Sequence, residues 1–353
     1  MPGICRLGAT LRWTLVVLVL LSLVAWHGGA RAEPITGVDS IGITVADMDR
    51  ALDFYTRVLP FEVVSEVEVH GPAYERLLGV FGMRARIVRL RLGVEEIELI
   101  DYLAPEGRPV PAESKSNDEW FQHVAIIVRA MDAAYAHLRR HKVQHASTGP
   151  QVLPAWNPNA GGIAAFYFRD PDGNHLEILQ FPRDKGDPRW HQPTDALFLG
   201  IDHTAIVVRD TEASLPFFEG ALGLEVRGTS ENYGPEQEHL NNVFGARLLI
   251  TSLGAPAGPA VEFLDYLSPA TGRPTPADTQ ANDLWHWQIR METSELDALE
   301  VALRKAGAAF VSPGIVDMPD DGLALGRALM VRSPAGHAVL INQPRKLRAT
   351  QAG

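Results

Sequence analysis

The sequence predicts an α+β protein built from four β-α-β-β-β units, arranged as two tandem copies of a two-unit domain. Three observations carry that expectation. The chain has 353 residues, 46% of them hydrophobic, with a mean hydropathy of −0.03, a globular composition with room for two domains of roughly 150 residues each. A long segment recurs with its internal order preserved. Within each copy, short apolar runs alternate with stretches of helical periodicity.

The repeat is read directly from the letters. GPAYERLLGVFGMR at 71–84 returns as GPEQEHLNNVFGAR at 234–247, and ELIDYLAP at 98–105 returns as EFLDYLSP at 262–269. GRPVPA at 107–112 matches GRPTPA at 272–277, NDEW at 117–120 matches NDLW at 282–285, and DPDG at 170–173 matches SPAG at 333–336. Copy one is expected over 36–182 and copy two over 197–344. Between them 183–196 is rich in Pro and charge and reads as a linker. Residues 345–353 form a C-terminal tail.

The elements follow in order. IGITV at 41–45 reads as a buried strand, and Asp47 can cap a helix carrying Leu52, Tyr55 and Leu59 at helical spacing. Strands are expected at 61–64, 87–92 and 97–102. The second unit starts with the strand 124–128, continues through a helix at 132–141, and ends in strands at 164–168 and 176–179. In copy two the matching helix carries Leu296, Leu299 and Leu303 on one face, with Gly307 as its C-terminal stop.

Composition excludes several classes of function. Lys and Arg total 32 against 43 Asp and Glu, a net charge of −11, which argues against a nucleic-acid partner held by a basic surface. The single cysteine, Cys5, excludes a disulfide scaffold, a cysteine zinc site and an iron–sulfur cluster. Residues 1–32 have the form of a secretory signal peptide: Arg6 and Arg12 at a basic start, the apolar run LVVLVLLSLVA at 15–25, then Ala30-Arg31-Ala32 as an A-x-A site. The run is short for a membrane span, which needs ~20 residues. Cleavage after Ala32 would leave a secreted or periplasmic chain without cysteine or membrane anchor.

Several ionisable residues stand where apolar ones are expected. Glu98 lies in IELI, Glu177 in LEIL and Glu262 in VEFL, while His123 and His203 open the runs HVAIIV and HTAIVV. A carboxylate buried alone in mid-strand costs several kcal/mol, so each needs a cation, an arginine or a proton. One such residue is usually a hydrogen-bonded core group; their recurrence at matched repeat positions points to a site.

With these motifs in view the chain resembles the vicinal oxygen chelate superfamily, which includes glyoxalase I, extradiol dioxygenases and bleomycin resistance proteins. FQHVAIIV at 121–128, DPDGNHLEILQ at 170–180 and IDHTAIVV at 201–208 carry the resemblance, which covers both copies. It implies that each β-α-β-β-β unit offers up to two metal ligands, one in its first strand and one in its last, and that two units curl around one divalent ion. By position, unit one offers Ser40 and Glu98, unit two His123 and Glu177, unit three His203 and Glu262, and unit four Gln288 and Leu340. Pairing within each copy would damage both sites. Pairing across copies would collect His123, Glu177, His203 and Glu262 in one cup and leave Ser40, Glu98, Gln288 and Leu340 in a metal-free one. Losses gathered in one cup are the simpler account, so the crossed pairing is expected, with Arg290 pairing Glu98 in place of a metal charge.

Two histidines and two glutamates suit one divalent ion (Zn, Ni, Co, Mn or Fe) with open positions for a small-molecule substrate. The resemblance implies a glyoxalase-like lyase or isomerase working through an enediolate, with Glu177 or Glu262 as the base. The same residues permit an Fe(II) ring-cleavage dioxygenase, or a small-molecule binding protein of the bleomycin-resistance type without catalysis. The loop around Trp156 and NPNAGG at 157–162 is suited to a lid.

Overall fold

The computed structural model describes residues 35–345; the expected signal peptide and nearly all of the C-terminal tail lie outside them. Module one begins with the strand Gly37–Val45, continues into the helix Met48–Asp53, and is completed by the strands Glu62–His70, Arg84–Leu92 and Glu95–Ala104. Module three repeats it with Phe198–Val208, Thr211–Leu215, Glu225–Tyr233, Arg247–Gly254 and Ala260–Ser268. Asp47 and Asp210 start the two helices by accepting from the backbone N–H of Arg50 and Ala213. Each helix then widens into a π-helical turn, Phe54–Val58 and Pro216–Ala221. The single helix expected through Leu59 is therefore a helix plus a wider turn, which still buries Tyr55 and Leu59 in the core.

Module two contains Gln122–Val128, the helix Met131–Arg140, Ala164–Arg169 and His175–Gln180; module four contains Trp287–Glu292, the helix Leu296–Lys305, Arg327–Arg332 and Ala338–Gln343. Here the second strand of the unit is only two short pieces, Gln144–His145 and Gln151–Val152, or Ala309–Phe310 and Val316–Asp317. Gly307 follows its helix with φ +74°, the left-handed stop foreseen for it. Two short helices, Pro72–Leu78 and Pro235–Asn241, were not expected; each begins at the Pro of the repeated Gly-Pro, with the Gly as its N-cap.

The strands form two nine-stranded sheets, and each joins one module of each copy. Gly37–Val45 pairs antiparallel with Trp287–Glu292, fusing modules one and four. Phe198–Val208 pairs antiparallel with Gln122–Val128, fusing modules two and three. The crossed pairing is thus the observed one. The largest core cluster takes Ile43, Ile126, Ile206 and Ile289 from the four first strands, together with helix residues such as Leu138 and Leu303. Strand alternation sends the neighbouring side chains to the opposite faces, which line the two cups.

The GRP loops hold the exchange in place. Arg108 of copy one bonds Asp283 of copy two at 2.7 Å, and Arg273 of copy two bonds Asp118 of copy one at 2.7 Å. Each guanidinium also lies over a tryptophan of the other copy, Arg108 over Trp285 and Arg273 over Trp120. A Cβ on Gly107 would fall 1.6 Å from the carbonyl oxygen of Asn282, and one on Gly272 1.8 Å from that of Asn117, so only glycine allows either crossing. The linker is docked: its turn Pro188–His191 buries Trp190, and Arg189 pairs with Glu95 at 2.5 Å.

Candidate metal centre

Four side chains singled out in the sequence meet in one cavity of about 210 Å³. His123 comes from the first strand of module two and Glu177 from its last; His203 and Glu262 come from the same places in module three. The parallel register sets Glu177 beside Ala125, and Glu262 beside Ala205, so each carboxylate clears the small residue next to it and reaches the cup. His123 Nε2 lies 3.1 Å from Glu177 Oε2, and His203 Nε2 lies 3.6 Å from the same oxygen and 3.4 Å from Glu262 Oε2. His123, Glu177 and His203 are all buried and offer ligand atoms within 4.8 Å of one another.

The glutamates differ. Glu177 is wedged between both imidazoles with 5% of its side chain exposed; Glu262 touches only His203 and keeps 21% open to the cavity. Burial opposes the Glu177 carboxylate, but the two histidines outweigh it and bring its pKa down to about 2. For Glu262 burial dominates and raises the pKa, with His203 working the other way. Burial lowers the pKa of His123. Burial also disfavours a charged His203, but Glu262, Asp202 and Glu177 overcome it and hold that imidazole well above its ordinary value.

Asp202 was not foreseen. The strand Phe198–Val208 has an irregular register between Ile201 and His203, where one extra residue stands opposite the partner strand. Such a bulge re-aims side chains, and both Asp202 and His203 reach the cavity. Asp202 Oδ2 accepts from His203 Nδ1 at 3.0 Å, which leaves Nε2 for the site. The indole N–H of Trp190 donates to Asp202 Oδ1 at 3.0 Å, so the linker between the copies braces this carboxylate. A signal existed in the sequence: Asp39 precedes Ser40 as Asp202 precedes His203.

The donor set fits a divalent cation. Two imidazoles and a carboxylate form a mixed nitrogen and oxygen site, and His203 has the carboxylate partner on its far nitrogen that metal-ligating histidines typically need. His123, Glu177 and His203 would hold the ion, with Glu262 beside them.

The second cup contains Ser40, Glu98, Gln288 and Leu340, all buried. Arg290 Nη1 bonds Glu98 at 2.8 Å, its Nε lies 3.2 Å from Asp39, and its Nη2 donates to the Leu323 carbonyl oxygen at 2.8 Å. Arg89 adds a second cation, 3.3 Å from Glu98. The pairing expected between Arg290 and Glu98 is present. The loop with Trp156 crosses from module two to module three. Trp156 packs against Tyr233, its ring tilted by 33° with 4.4 Å between centroids, and Asn157 Nδ2 donates to Asn232 Oδ1 at 2.7 Å.

Comparison with known proteins places the chain in a family. Residues 37–178 and 200–341 each match the Glyoxalase/Bleomycin resistance protein/Dioxygenase superfamily, and the chain belongs to it. A 2-epi-5-epi-valiolone epimerase from Actinomyces sp is 33% identical over 166 residues, 44% of this chain and 88% of that protein. Glyoxalase I from Zea mays has the same fold, with a TM-score of 0.55 at 14% identity over 87% of this chain and 92% of that one. A putative dioxygenase from Bacillus subtilis subsp. subtilis str. 168 superposes with a TM-score of 0.55 at 14% identity, covering 89% of this chain and 87% of its own.

Proposed function

We propose that this protein is a metal-dependent isomerase or epimerase of its superfamily, moving a proton at a carbon next to a carbonyl in a small oxygenated compound. The observation that carries the proposal is the inequality of the two glutamates: one is locked between the histidines, the other stands at the cavity wall with a single partner. A divalent ion held by His123, Glu177 and His203 would polarise the carbonyl oxygen and stabilise the charge that develops on it. Glu262 takes the proton from the adjacent carbon and returns it. Asp202 keeps His203 in one tautomer, and the Asn157 loop covers the cavity and limits water. The epimerase relative supports this class of chemistry. A lyase of the glyoxalase type uses the same proton transfer and differs in its substrate.

The test is exchange. Metal-loaded protein in D₂O is expected to exchange the α-proton of a hydroxy-ketone, followed by NMR, and Glu262→Gln is expected to lose at least ~10²-fold of that rate while retaining metal. Full exchange in Glu262→Gln would overturn its role. A second reading rests on the compact triad: two histidines and one carboxylate with Glu262 outside it is also the arrangement of Fe(II) oxygenases. Oxygen uptake with Fe(II) and a catechol, absent with Zn, would favour it. We also propose export through the segment 1–32; N-terminal sequencing of the mature protein is expected to begin at Glu33.

A further inference from the structure

We infer that the cavity recognises an uncharged, hydroxyl-rich ring compound, held by the ion at one end and by Gln237, Asn232 and Ser230 at the other. This rests on the metal-dependent reading above and specifies its substrate. The argument comes from the second cup. Tyr233 is registered with Arg247 as His70 is with Arg84, so Ser230, Asn232 and Gln237 stand at the positions of Val67, Val69 and Tyr74. In the closed cup Val69 and Tyr74 are core residues, 2% exposed each, with Val67 packed against them. In the open cup all three positions are polar and line the cavity. Burying polar side chains weakens a fold unless they are bonded; Ser230 and Asn232 are bonded to each other and to Asn157 of the loop, which leaves Gln237 as the residue of the three with an unpaired polar atom.

Gln237 is 2% exposed and lines the cavity, yet its Oε1 has no partner, although its amide nitrogen bonds Asn241. A ligand hydroxyl would supply the missing donor. Among the described residues no lysine or arginine lines the cavity, while Asp202, Glu177 and Glu262 do; a phosphate or carboxylate on the ligand would meet acids and no arginine or lysine. Size narrows the class further. A cavity of 150 Å³ takes a benzene ring, so about 210 Å³ accommodates one six-membered ring bearing small substituents.

The probe is a pentahydroxycyclohexanone, titrated calorimetrically into the zinc-loaded full chain. We expect binding, at least tenfold weaker in Gln237→Leu and in Asn232→Val, with zinc affinity unchanged in both. Gln237→Leu removes a buried unsatisfied oxygen but also the donor to the buried Asn241 Oδ1, so its melting temperature is expected to fall slightly. Should it fail to fold, Asn232→Val carries the same expectation. Undiminished binding in both variants overturns the inference, as does tighter binding of a phosphate monoester or an amino derivative of the ketone. A wild-type protein that takes up none of Zn, Ni, Co, Mn or Fe removes the metal-dependent reading and this inference with it; one that takes up a metal and rejects the ketone removes the inference alone.

Discussion

In one cup Arg290 lies across from Ser40; at the matched register of the other, Ala125 lies across from His203. Both cups keep a glutamate in the last strand of the leading module, Glu98 or Glu262, and an aspartate at the strand irregularity, Asp39 or Asp202. The acids need a cation in either case. Where histidine is replaced by serine, room opens and the chain supplies its own guanidinium; where histidine remains, a small side chain opposite keeps room for an ion. The rest of each cup follows that choice. Tyr74, Val69 and Leu340 pack the first into a core, and Gln237, Asn232 and Ser230 leave the second polar and hollow. One repeat has thus yielded a strut and a site from the same backbone plan.

Metal binding tests this contrast most severely. One ion per chain is expected, with His123→Ala and His203→Ala each abolishing it; elemental analysis and competition with a chelating dye would check this. Retention of a full equivalent in either variant would break the proposed shared site. Glu98→Gln, in the other cup, is expected to leave the stoichiometry at one.

Arg290→Met is the next largest effect. It leaves Glu98, 4% exposed in its side chain, with Arg89 as its remaining cation, and because breaking a buried pair from one side costs about 3–5 kcal/mol the loss is expected toward the low end of that range, to be read from urea denaturation. Adding Glu98→Leu is expected to recover most of the loss, since an apolar pair of similar volume is often neutral or better. A smaller effect is expected from Asp202→Asn, about 10–100-fold in metal affinity, because the amide no longer fixes the His203 tautomer; Trp190→Phe moves it in the same direction by less.

A pH dependence is located in module four. Burial pushes His286 down to about 3 and His337 down to about 4, against roughly 6.5 for a free imidazole. Below that value the unfolded chain takes up protons that the fold refuses. Their contribution is therefore present above about pH 6.5 and declines as the pH falls toward 4. Thermal melts across this range are expected to show Tm falling, with a shallower fall in His286→Gln.

Much of this was legible in the letters. The repeat and the order of the modules are read from matching letters, the four clustered side chains follow from the resemblance to the superfamily, and the Arg290–Glu98 pair follows, once the crossed pairing is assumed, from strand alternation and the cost of burying charge. The short helices after Gly71 and Gly234 were missed because seven residues carry too little periodicity. The helix ending at Asp53 was drawn too long because a π-helical turn keeps nearly the same side chains inward.

What the sequence alone determined was the set of ionisable residues that had to find partners, since that need is a property of each residue in its strand. Only the tertiary structure decided the distances, the burial and the additional partners, Asp202 and Arg89, that they found. Strands 70 and 242 residues apart in the chain were brought edge to edge, a one-residue irregularity turned Asp202 toward His203, and the depth of the cup divided two glutamates of equal standing into one enclosed and one open to the cavity. Distances of that kind depend on contacts remote in the chain, which no local pattern of residues records.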